Sequence, residues 1–142
     1  DQIHFNNHAH IALLEGMAGL MFNYRCDVCL SRTLHDELLG GVIFTNYTRE
    51  SIQMHVASMS PRWLNRTLLW LAFDYPFNQV GVSSIFSQML ASNTKAIEFN
   101  RKIGFKEVTR LDGVFPGGQC VITKLTRDDC RWLDKPTTGG PV

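Results

Sequence analysis

The tightest constraint on this chain is a change of hydrophobic period midway along it. Over Ser51–Ser58, Ile52, Met54 and Val56 alternate with Gln53, His55 and Ala57, the two-residue period of a strand. Just beyond, Leu64, Leu68, Leu71 and Tyr75 recur at spacings of 4, 3 and 4, which draws one apolar stripe along a helix. Ser60-Pro61 supplies the expected start, an N-cap side chain followed by proline at the first helical position, and Pro76 the expected end. Val80–Ala91, rich in small and β-branched residues, then reads as a strand buried on both faces. A strand, a helix and a second strand in this order predict a crossover between parallel neighbours.

The flanking segments fill in the class. Asn7–Met21 predicts a helix capped by Asn7, with Ile11, Leu14, Ala18 and Met21 spaced 3, 4 and 3 apart. Arg25–Thr33 and Leu38–Tyr47 are extended runs joined by short polar turns, so with Ser51–Ser58 they form an antiparallel meander. Thr94–Ile103 is the best-bounded helix, with Asn93 as its N-cap and Gly104 just past its end. Phe105–Leu111 and Gln119–Leu125 close the domain as strands around a loop holding Asp112-Gly113 and Pro116-Gly117-Gly118. Strands on either side of this later helix also predict parallel neighbours. The expected class is α+β: a mixed, mostly antiparallel sheet flanked by helices, in one domain over residues 1–135 with a loose tail at 136–142.

Composition excludes several functions. A chain of 142 residues with 44% apolar and 19% charged residues is globular and holds one domain. A net charge of +1 argues against a nucleic-acid protein held by a broad basic face. The longest uncharged run, Tyr75–Thr94, is broken by Pro76 and several serines, asparagines and glutamines, so no bilayer helix is expected. No leader with a basic start and an apolar centre is visible, which makes cytoplasm the expected compartment. Cys26 and Cys29 form a C-x-x-C with no second pair, on extended chain where residues three apart face opposite ways, so no metal site is expected. His8 and His10 read as solvated residues at a helix start.

The stretch from Asn93 through Ala96, Phe99, Lys102, Gly104 and Phe105 resembles the late helix of the Gcn5-related N-acetyltransferase (GNAT) family, which commonly reads N-x-x-A-x-x-F-x-x-K-x-G-F. Tyr75–Val82 is similar to the segment before the next strand in the branch that acetylates ribosomal-protein N-termini. Leu125–Leu133 is similar to the end of small acetyltransferase-like proteins carried by phages. The resemblance spans about residues 38–133. It implies a GNAT-like fold, acetyl-CoA as the cofactor, and transfer of acetyl to an amine on a protein N-terminus, a side chain or a small molecule. It further implies a monomer or homodimer in the cytoplasm, the host's if the protein is phage-encoded, with neither nucleic acid nor membrane as partner.

The resemblance also implies a set of site residues. His55, the histidine on the alternating strand, would be the general base, since an unperturbed imidazole titrates near pH 6.5, ahead of Glu50 and Glu98, which sit where ordinary surface carboxylates would; a half-buried histidine satisfied by its neighbours is the competing reading. Asn93 joins it, as a cap and, with Ser92 and Tyr75 as alternatives, as a candidate donor to the leaving thiolate. The main chain of Val56, Ala57 and Ser58 would pair with the pantetheine arm where two strands splay. The late helix would run along that arm through Asn93, Ala96, Phe99 and Asn100, the last standing where many relatives have tyrosine. Trp63 is either core or a wall of the cofactor mouth.

One departure matters more than these matches. The family places R/Q-x-x-G-x-G/A after the splayed strand, where backbone N–H groups hold pyrophosphate. Here the stretch is Ser58-Met59-Ser60-Pro61-Arg62-Trp63-Leu64-Asn65-Arg66, with no glycine, so the cradle must be weakened or reshaped. Arg62 and Arg66, four apart in the expected first turns of a helix, are the candidate replacements, because a bound polyanion would relieve their repulsion. Two functions follow: an acetyl-CoA-dependent N-acetyltransferase, or a degenerate GNAT-fold protein that contacts another macromolecule.

Overall fold

A computed structural model describes residues 1–142. The elements are β1 (Gln2–Phe5), α1 (His8–Ala18), β2 (Val28–Leu34), β3 (Glu37–Thr45), β4 (Ser51–Ser58) and α2 (Arg66–Asp74). A π-helical turn (Tyr75–Val80), β5 (Ser84–Leu90), α3 (Thr94–Ile103), β6 (Lys106–Phe115) and β7 (Gly118–Thr126) follow. The sheet order is β1-β2-β3-β4-β5-β7-β6. Only β4 and β5 pair in parallel; every other pair is antiparallel. The predicted α+β class is the observed one.

Both faces of the sheet are covered. On one, α1 packs Ile11 and Leu14 against Cys29, Ile43 and Ala57. On the other, α2 and α3 lie over the larger core, where Leu68, Leu69, Phe73 and Ile103 meet Val42, Phe44, Ile52, Met54 and Ile85. This division follows from the two-residue period of β4: Ile52 and Met54 face α2, and Ala57 faces α1. No helix is long and apolar enough to cross a membrane.

Each α-helix begins on an asparagine side chain. Asn7 accepts from the His10 N–H at 3.1 Å, Asn65 from Leu68 at 2.8 Å and Asn93 from Ala96 at 3.2 Å. Asn7 and Asn93 are the expected caps, but Ser60-Pro61 does not start a helix. The Ser60 carbonyl accepts from the Trp63 N–H at 3.2 Å, and Pro61 occupies the second position of a tight turn. The reason is tertiary. The buried Arg32 guanidinium takes the carbonyls of Arg62 and Trp63 at 2.6 and 3.1 Å, which a helix would need for its own ladder. The helix therefore starts at Arg66, and only the second of the two arginines belongs to it.

Other expectations also need correction. Pro76 stops the α-helical ladder, but the chain keeps coiling with wider spacing until the Gly81 N–H closes on the Pro76 carbonyl at 2.9 Å. β5 thus begins at Ser84 and is only partly buried along its middle. The strands flanking α3 are not neighbours, because β7 inserts between β5 and β6. β1 pairs with the edge of β2 and was not foreseen. His10 is held by the Ser31 hydroxyl at 2.7 Å rather than solvated. The carboxy-terminal segment lies against the start of α2: the Gly140 carbonyl accepts from the Arg66 N–H at 2.9 Å.

Candidate functional site

The site arises from incomplete strand pairing. β4 and β5 are paired only over Ser51–Gln53 against Ser84–Phe86. Beyond that, β4 continues to Ser58 bonded to β3 alone, and β5 continues to Leu90 bonded to β7 alone. The edge of β4 from Met54 to Ser58 that faces β5 therefore has no strand partner. Such an edge presents main-chain donors and acceptors to any extended ligand.

The gap opens into a cleft of about 620 Å³. Met54, His55, Val56 and Ser58 line it from β4, and Ser87, Gln88, Met89 and Leu90 from β5. Asn93, Ala96, Phe99 and Asn100 come from α3, and Trp63 from the β4–α2 loop. The structure thus brings together His55, Val56, Ser58, Trp63, Asn93, Ala96, Phe99 and Asn100. The Ala57 side chain points away into the α1 core, leaving only its main chain on the open edge. Trp63 is both core and wall: it is 8% exposed, packs its ring against Phe99 with centroids 6.0 Å apart, and still lines the cleft.

Arg62 and Arg66 lie outside the cleft. The Arg66 Nε donates to the Pro141 carbonyl at 2.9 Å, so the carboxy-terminal segment holds it. Arg62 lines an adjoining hollow of about 820 Å³ with Lys102 and Arg131, and this hollow meets the cleft at Trp63 and Phe99. Neither Arg62 nor Lys102 makes an ion pair.

The α3 polar residues are largely committed. Asn100 is buried; its Oδ1 accepts from the Thr123 hydroxyl at 3.0 Å and its Nδ2 donates to the Ala96 carbonyl at 3.2 Å. It fixes α3 to β7. The Asn93 Oδ1 caps the helix, which leaves its amide N–H groups free at the mouth.

His55 faces the α1 side, as its spacing from Ala57 requires. Its Nε2 is 2.7 Å from the Thr45 hydroxyl, while Nδ1 has no partner. No buried side-chain nitrogen or oxygen lacks a partner, so Nδ1 borders open space. Burial holds the imidazole below its usual pKa, and the Asp27 carboxylate partly opposes that shift. The ring is therefore neutral near pH 7 and able to accept a proton.

A second cavity of about 630 Å³ opens on the α1 face, and it shares Ala18, His55, Gln88 and Phe115 with the cleft. His55 and Gln88 thus stand at the divide between a space over α3 and a space under α1. Sequence reasoning missed this second space, Gln88 and Thr45. Gln88 lies in a run read simply as buried strand, and Thr45 acts only through its cross-sheet contact with His55. Cys26 is exposed while Cys29 is buried, its thiol pushed up to about 12 by desolvation.

No protein-family model and no curated protein sequence matches the chain. Solved structures do. A point mutant of the spermidine N-acetyltransferase SpeG from Vibrio cholerae superposes with a TM-score of 0.72 at 15% identity, covering 94% of this chain and 98% of that one. The spermidine/spermine N-acetyltransferase SpeG from Vibrio cholerae in complex with manganese ions gives 0.68 at 15% identity, covering 88% and 91%. At this identity the likeness speaks to architecture, and the chain has the α+β GNAT fold.

Proposed function

We propose that this chain is an N-acetyltransferase that moves an acetyl group from acetyl-CoA to an amine by direct attack. The observation that carries the reading is the open β4 edge, with His55 Nδ1 unpartnered at the divide between two cavities. Two substrates that must meet, each with its own entrance, suit that arrangement. The structural neighbours, spermidine N-acetyltransferases, support the same class of acceptor.

The residues fit acetyl-CoA unequally along its length. The pantetheine arm carries amides, and the unpartnered edge over Met54–Ser58 offers them a strand-like partner, with Val56, Trp63, Met89 and Phe99 as apolar walls. The phosphate end does not find the usual backbone cradle. Asn65 and Gly140 already cap N–H groups at the start of α2, and Ser60 takes those of Arg62 and Trp63. Arg62, Lys102 and Arg131 would meet the phosphates with side-chain charge instead.

When bound, acetyl-CoA supplies the thioester whose acetyl passes to nitrogen. With Nε2–H donating to Thr45, the His55 Nδ1 lone pair takes the proton of the incoming ammonium and frees the attacking amine. Thr45 is then the positioning residue, fixing tautomer and ring plane. Gln88, across the gap, has its side-chain oxygen 3.7 Å from the Cys120 thiol, which leaves its amide N–H groups to line the divide.

Calorimetry with coenzyme A, followed by a thiol-release assay over a panel of primary amines, tests this. Saturable binding and amine-dependent release are expected. Absence of both heat and thermal stabilisation at millimolar coenzyme A overturns the reading. It would favour a GNAT-fold protein that binds another macromolecule, the second reading, which draws its support from the sealed start of α2.

A further inference from the structure

The face of β2 that meets the larger core carries one charged residue. Leu30 and Leu34 pack against that core, and Arg32 stands between them at the two-residue period of the strand. Arg32 is buried. An apolar side chain would complete the stripe, and exchanging a buried ion pair for apolar residues is often neutral or stabilising. Packing alone gives no reason for an arginine here.

Its hydrogen bonds give one. The Arg32 Nε and Nη2 donate to the two oxygens of the Asp1 carboxylate at 2.9 and 3.0 Å. Its Nη1 donates to the carbonyls of Arg62 and Trp63 at 2.6 and 3.1 Å. The Asn65 amide, whose oxygen caps α2, donates to the same carboxylate at 3.4 Å. Three segments thus meet on one ion pair: the residue before β1, the β4–α2 loop and the start of α2. A planar guanidinium fork can grip a carboxylate with one edge and two carbonyls with another, whereas a single ammonium cannot. The consequence falls on Arg62. Its side chain has no hydrogen bond or ion pair within the chain, so its aim follows from its main chain. Trp63 differs, because its ring is fixed separately by the core and by Phe99.

We propose that Arg32 is a positioning residue for the phosphate end of the cofactor: by tying down the β4–α2 main chain it aims the Arg62 guanidinium into the hollow beside the cleft. The proposal rests on the acetyl-transfer reading above. A glycine-rich turn would let backbone N–H groups meet phosphate directly. This loop has its main chain tied from below and presents a side chain instead. A loop already held in its binding geometry loses less freedom when the ligand arrives, which raises affinity without a new contact. Arg32 therefore acts through Arg62 and touches no part of the ligand.

A double-mutant cycle on coenzyme A binding, read by calorimetry, tests it. Arg62→Ala, Arg32→Lys and the double variant are compared with the wild type, with a pantetheine fragment that lacks phosphates as the control ligand. Arg62→Ala should weaken coenzyme A binding about tenfold in the wild type but less than about twofold in the Arg32→Lys background. Arg32→Lys keeps the charge and loses the fork, so it should itself cost about tenfold for coenzyme A and leave pantetheine within about twofold. Additive losses overturn the proposal, since Arg62 would then work whatever Arg32 holds. Wild-type affinity in Arg32→Lys also overturns it, by reducing Arg32 to its charge. An equal loss for both ligands does the same, by marking a general loosening of the fold. Should Arg32→Lys not fold, Asp1→Asn takes its place, because it weakens the grip on the guanidinium and spares both carbonyl contacts. It should cut the cost of Arg62→Ala from about tenfold to about threefold, and an unchanged cost overturns the proposal. A wild type that binds neither coenzyme A nor pantetheine overturns the transfer reading and this one together. With both ligands bound, the cycle judges Arg32 alone.

Discussion

The two ends of the cleft solve their problems in different ways. At the β4–β5 gap the useful groups are main-chain groups, exposed because the strands stop pairing after Gln53 and Phe86. Any side chains that permit the gap will serve. At the β4–α2 loop the main chain is already occupied: Arg32 holds two carbonyls, Ser60 two N–H groups, and Asn65 and Gly140 the first turn of α2. What remains for an anion there is side-chain charge, on Arg62, Lys102 and Arg131. A binding edge made by topology survives extensive sequence change, whereas one made by glycine conformations does not.

The largest effect should come from the reaction end. His55→Gln is expected to lower turnover by about 10²–10⁴ with little change in coenzyme A affinity, measured by single-turnover kinetics beside calorimetry. If turnover is unchanged, His55 is a packing residue and the comparison loses one of its terms. Its pH profile carries a sign. The base works when neutral, and burial depresses its pKa, so the acid limb of kcat/KM should lie below pH 6.5. Asp27 opposes that depression, so Asp27→Asn should move the limb lower still.

Much of this architecture was readable from residue patterns. The alternation over Ser51–Ser58 gave β4 its bounds, and Asn93 and Gly104 bounded α3, because local periodicity and capping decide those elements. The start of α2 was misread because Ser60-Pro61 is equally good as a turn, and a distant buried arginine decided between the two. β7 inserts beside β5 because strand order is a tertiary choice that no local signal states. Asp27 had no signal at all: it lay within a cysteine motif, and only its burial beside His55 distinguishes it from a surface carboxylate.

The next effect couples the two ends. In β3, Gly40 has φ +156°, and a Cβ there would sit 2.7 Å from the Ala57 carbonyl oxygen and 2.9 Å from the Trp63 Cβ. Gly40→Ala should cost about 1–3 kcal/mol and lower the melting temperature by several degrees. It presses on the open edge and the loop at once, so coenzyme A affinity should fall with stability. A variant that melts early yet binds normally would mean the two ends are mechanically independent.

Removing the phosphate-end cations should matter less. Arg62→Ala and Lys102→Ala are each expected to weaken coenzyme A binding by about tenfold, near 1.4 kcal/mol. They should hardly affect binding of a pantetheine fragment that lacks phosphates. Equal losses for both ligands would place the effect on folding of the loop rather than on charge.

Asn93 gives the smallest and most discriminating test, because it stands between a structural and a binding role. Its Oδ1 caps α3 through the Ala96 N–H, and its amide N–H groups face the cleft mouth. Asn93→Ala removes both functions and should cost about 0.5–2 kcal/mol of stability. Asn93→Asp keeps an acceptor oxygen for Ala96 and puts negative charge at a helix start, where the dipole tolerates it. It removes the donor and brings like charge toward a polyanionic cofactor. The aspartate variant should therefore melt like the parent while losing part of the coenzyme A-induced rise in melting temperature. A normal rise would make Asn93 a cap alone, and the contrast between the two ends of the cleft would then rest on His55 and the cations.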